Sequence, residues 1–102
     1  MGDISIGTMP VYMADCDFPG MTPEQLRGTE ERARRACAPG AGGTAVRYLR
    51  AIWVPGDWRV MYLFEAPDAA AVEAVCRAAQ IPFLRVVEAV DVSRGDAGRG
   101  SP

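Results

Sequence analysis

A chain of 102 residues, 49% of them hydrophobic, supports one modest core and is too short for two domains. Its net charge of −2 argues against binding a phosphate backbone, which takes a basic patch, and no apolar run is long enough to span a bilayer. Histidine is absent and cysteine occurs three times. With no secretory-signal h-region, this composition predicts reduced thiols in a cytoplasmic protein that has neither nucleic-acid nor membrane partners.

Residues 1–9 carry no periodicity and are expected to form a loose lead-in. Met9 to Asp17 reads as a strand, broken by Phe18-Pro19-Gly20. Thr22-Pro23-Glu24-Gln25 then combines an N-cap hydroxyl, a proline at the first helical position and a glutamine placed to close a capping box. That helix should run to about Cys37, where Pro39-Gly40-Ala41-Gly42-Gly43 ends it. Its charges, Arg27, Glu30, Glu31, Arg34 and Arg35, are spaced for i,i+4 pairing on a solvated face.

Val46 to Val54 and Trp58 to Glu65 are predicted strands joined by the compact turn Pro55-Gly56-Asp57. Asp68 can cap a second helix from Ala69 to about Gln80. Val72, Val75, Cys76 and Ala79 form its apolar stripe, and Pro82 stops it. Leu84 to Val92 is the last strand. The polar, glycine-rich tail 93–102 reads as disordered, and its Arg94-Gly95-Asp96 reads as chance. The order βαββαβ predicts a ferredoxin-like α+β domain over residues 10–92. Two helices would cover one face of a four-stranded antiparallel sheet, leaving the other face open.

Pairing the hairpin about Gly56 sets Arg47, Leu49, Ala51 and Trp53 opposite Glu65, Leu63, Met61 and Arg59. That set suits the helix side. Tyr48, Arg50 and Ile52 opposite Phe64, Tyr62 and Val60 then take the open face, together with Tyr12, Ala14 and Cys16. Glu88 sits among Val86, Val87 and Val90, and the pattern does not decide its face.

Four segments carry a family likeness: Pro10-Val-Tyr-Met-Ala-Asp-Cys-Asp-Phe-Pro-Gly20, Val46-Arg-Tyr-Leu-Arg50, Leu63-Phe-Glu-Ala-Pro-Asp68 and Pro82-Phe-Leu-Arg-Val-Val-Glu-Ala-Val90. Over about residues 10–92 the chain resembles the small bacterial nickel-binding ferredoxin-like family, many of whose members are described only as a domain of unknown function. The resemblance implies a homodimer whose sheets pack face to face as an α+β barrel. Cys16 and Cys76 stand where that family leads one to expect histidine. No C-x-x-C pair is present, and nickel favours imidazole, so no metal site is assigned.

Two functions are expected from these placements. The first is a small-molecule-binding dimeric barrel, working without a cofactor as a cyclase or isomerase of secondary metabolism. Its substrate would be a small apolar or aromatic molecule with an anionic or carbonyl oxygen. Arg50 would polarise that oxygen, Tyr48 and Tyr62 would donate hydrogen bonds, and Glu88 (or Asp15 or Asp17) would be the base. Tyr12, Cys16, Phe64 and Trp53 would line the pocket. The alternative is a metal-binding protein like its family, with Cys16 and carboxylates replacing the histidine ligands. A side-chain-filled scaffold dimer is the blandest outcome.

Overall fold

A computed structural model of the chain describes residues 9–38 and 45–90. The lead-in up to residue 8 and the tail from 93 lie outside the described residues. The elements are β1 (Val11–Asp17), α1 (Pro23–Ala36), β2 (Arg47–Val54), β3 (Arg59–Glu65), α2 (Ala69–Ala78) and β4 (Arg85–Ala89). The four strands form one antiparallel sheet in the order β2-β3-β1-β4, the expected ferredoxin-like arrangement. Among the described residues no helix is long and apolar enough to cross a membrane.

The local signals act as read. Thr22 caps α1: its hydroxyl accepts from the Gln25 N–H at 3.1 Å, and the Thr22 N–H donates to Gln25 Oε1 at 2.9 Å. Asp68 caps α2 by accepting from the Ala71 N–H at 2.9 Å. Gly20, at φ +76°, supplies the left-handed residue that turns β1 into α1. Pro55–Asp57 makes a 3-10 turn, and Trp58 at φ 56° redirects the chain into β3.

Sheet register is where the structure departs from the sequence reading. Arg47 pairs with Glu65 and Tyr48 with Phe64, as expected. Arg50 then pairs with Leu63, Ala51 with Tyr62, Ile52 with Met61 and Trp53 with Val60, so Leu49 is the extra residue of a β-bulge. Beyond the bulge every β2 side chain is moved by one residue relative to β3.

The faces of β1, β3 and Tyr48 are also reversed from the expected assignment. Beyond the bulge, Ala51 and Trp53 keep the expected helix side, and Arg50 and Ile52 keep the open face. Ala14, Cys16, Val60, Tyr62 and Phe64 form the core with Ala33 of α1 and with Val72, Val75, Cys76 and Ala79 of the second helical stretch. Tyr12, Tyr48, Ala51, Trp53 and Val86 pack against that cluster. The aromatic face therefore lies under the helices, because two helices need wide, space-filling side chains beneath them and Tyr62 and Phe64 supply them. The open face presents the alternate residues, among them Met13, Asp15, Met61, Leu63 and Val87.

Candidate functional site

The sheet separates the residues that the sequence reading placed in one pocket. Tyr62 is fully buried, and its hydroxyl shares a 2.6 Å hydrogen bond with Thr29 Oγ1 on α1. The Thr29 hydroxyl also donates to the Leu26 carbonyl at 2.8 Å. Tyr48 donates to Glu30 of α1, stacks edge-on against Phe64 with centroids 5.4 Å apart, and lies beneath the Arg34 guanidinium. Burial pushes the Tyr62 phenol up to about 12, a rise that the Thr29 hydrogen bond moderates. Burial also raises Tyr48, and the hydrogen bond to Glu30 raises it further. Both phenols stay protonated and are occupied in holding α1 to the sheet.

Arg50 is exposed on the opposite face. It lines a shallow pocket of about 260 Å³ with Val11, Leu49, Ile52, Leu63 and Ala89. The bulge at Leu49 puts it there, one residue out of step with Tyr48. An arginine beside aliphatic walls on the open face survives from the sequence reading; its aromatic companions do not. Tyr12, Trp53 and Phe64 belong to the helix side. Glu88, opposite Tyr12 on the edge strand β4, is exposed rather than enclosed by its valine neighbours.

The cysteines are corrected in the same way. Cys16 and Cys76 were expected on opposite sides of the sheet, yet both are fully buried in one core. Burial, and then the neighbouring Cys76, push the Cys16 thiol up to about 12. Burial likewise pushes Cys76 up to about 12, with Cys37 as the next cause. A thiol buried and held protonated in this way is a poor nucleophile, and its enclosure beneath the helices keeps it from an incoming ion. All three cysteines are free. The expected core role of Cys76 agrees with its position; the pocket-lining role of Cys16 does not.

Pattern reading missed a charge cluster on the open face. Asp15, 1% exposed, accepts from Arg59 of β3 and from Arg85 Nε of β4 at 3.4 Å. Its Oδ1 is buried without a hydrogen-bond partner. The arginines lie 44 and 70 residues from Asp15, beyond any local pattern. At the far end of the same face Arg47 Nε donates to the buried Glu65 at 3.0 Å. The open face is thus an apolar middle between two ionic ends.

With that arrangement in view, the chain matches the description "Nickel responsive protein SCO4226-like" over residues 12–89. It belongs to the SCO4226-like family. Among solved structures, the crystal structure of SCO4226 from Streptomyces coelicolor A3(2) is similar to it, with a TM-score of 0.67 and 21% identity over 78% of this chain and 94% of that one. At that identity the likeness concerns the fold. Comparison with curated proteins returns no match.

The nickel-responsive name invites a test of this chain's donors, and they do not fit a nickel centre. No imidazole exists in the sequence. Cys16 and Cys76 are protonated and under the helices, and Asp15 is held by two guanidiniums that oppose a cation. Among the described residues no group of three or more histidine, cysteine, aspartate or glutamate side chains could hold a metal ion.

Proposed function

We propose that this SCO4226-like protein is a binding protein serving its family's metal response through its open sheet face, not a cofactor-independent cyclase or isomerase. The observation that carries the choice is the division of the catalytic set. Arg50 is on the open face, Tyr48 and Tyr62 are fastened to α1 on the other, and Glu88 is exposed at an edge. No substrate can touch the arginine and the phenols together, so the polarising and proton-donating groups cannot cooperate. Family membership supports the metal-linked reading over catalysis on an organic molecule.

The metal reading itself takes a narrower form than cysteine replacing histidine. With both core thiols excluded, the described residues offer a divalent ion only separate carboxylates and the lone Cys37 thiol, a weak and exchangeable mode for an ion that favours imidazole. The partner we propose for the open face is a second copy of the chain. Its half-buried Met13, Met61, Leu63 and Val87 and its 46%-exposed Ile52 form an apolar centre with a charged rim, the anatomy of a protein interface.

Equilibrium dialysis of the untagged protein against nickel tests this function. Binding should be weak and should be unchanged by Cys16→Ser. One tightly held nickel per chain, lost on Cys16→Ser, would restore the cysteine–carboxylate site and contradict the proposal. A polyhistidine tag must be absent, since it supplies the ligand this chain lacks.

A further inference from the structure

We infer that the cleft between the β1–α1 loop and α1 is a binding site for a small carboxylate with an apolar body, held by Arg32. The cleft measures about 390 Å³ and is lined by Phe18, Pro19, Met21, Gly28, Thr29 and Arg32, among others. That volume lies near the lower end of small-molecule sites, roughly 300–1,000 Å³. It is independent of the open face, being on the helix side of the sheet.

Arg32 is unlike the other half-buried or paired arginines. Arg34 and Arg35 pair with Glu31, Arg77 with Glu73, and Arg59 and Arg85 with Asp15. Arg32 instead donates its Nε to the Ala79 carbonyl at 2.7 Å, and among the described residues no carboxylate pairs with it. That bond ties the guanidinium to α2, and its Nη1 lies beside Gly28 on the cleft that Arg32 lines. A tethered guanidinium without a counter-charge matches a carboxylate, which it can take up bidentately.

The walls are built in advance. Phe18 N–H donates to the Trp58 carbonyl at 2.7 Å and Met21 N–H to the Phe18 carbonyl at 3.3 Å, so the loop carrying Phe18, Pro19 and Met21 is tied to the β3 end of the hairpin. Those three side chains give the apolar side of the cleft. Gly28 keeps it open. A glycine inside a helix costs about 1 kcal/mol against alanine. Here a Cβ would meet only Arg32 Nη1, at 4.0 Å, so any longer side chain would extend into the space beside the guanidinium.

Amide NMR titration with sodium benzoate, and separately with inorganic phosphate, tests the site. Benzoate should shift the signals of Phe18, Gly20, Met21, Gly28 and Arg32 saturably, and more tightly than phosphate. Arg32→Gln should weaken it about tenfold or more, as expected for loss of a charge-assisted hydrogen bond. Gly28→Leu should remove binding while the thermal midpoint holds or rises, which separates a filled cleft from an unfolded chain. The inference is overturned by unshifted cleft signals at the solubility limit, by benzoate binding that survives both substitutions, or by phosphate binding as tightly as benzoate.

Discussion

Two tyrosine hydroxyls and two thiols settle which face of the sheet is chemically available. Tyr62 and Tyr48 hydrogen-bond into α1, and Cys16 and Cys76 are sealed between the helices and the sheet. Each has a folded-state pKa above its unfolded value, for the cysteines 9.0 rising to about 12. The sign follows from proton counting. Below 9 both states hold these protons and the stabilisation is fully present; above it the unfolded chain ionises first, so stability falls as pH rises toward about 12. Urea unfolding followed from pH 8 upward should show this decline, made shallower by Cys16→Ala; a midpoint independent of pH would contradict the buried-thiol geometry. A sequence shows that a cysteine sits at an alternating strand position. It does not show which side of the sheet that position faces.

At the scale of elements, the helices were legible because their signals are local. Thr22, Pro23 and Gln25 act within one turn of each other, and Val72, Val75, Cys76 and Ala79 share one stripe. Strand limits were legible from Pro and Gly punctuation. The bulge was not. In Tyr48-Leu49-Arg50-Ala51-Ile52-Trp53 both alternations hold apolar residues, so nothing marks Leu49 as the extra one. Two deletions separate a bulge from a regular ladder. Removing Leu49 takes out the unpaired residue and leaves every strand pair, so the urea midpoint should fall only slightly, by about 1 kcal/mol in stability. Removing Ala51 forces a slip that sends helix-side residues to the open face, and should cost several times more. Equal losses would mean that Leu49 is not the bulged residue.

Across the whole molecule, the ferredoxin-like order was readable, while the faces of β1 and β3 were inverted. The Asp15–Arg59–Arg85 cluster and the aliphatic pocket beside Arg50 both lie on the open face. Neither was visible as a cluster, because each joins strands brought together only by the fold. The aromatic residues looked like a pocket because aromatics also mark interfaces and binding sites; here they are the core. With Tyr48, Tyr62 and both core thiols enclosed beneath the helices, the open sheet face is the surface proposed for the family's function, and a second copy is its proposed occupant. The most direct test is sedimentation equilibrium of the untagged full chain beside Ile52→Glu, which places a charge at the apolar centre without entering the core. The wild-type chain should sediment as a dimer and the variant as a folded monomer with unchanged circular dichroism. A monomeric wild-type chain, or a dimer indifferent to Ile52→Glu, would contradict the assignment of the open face.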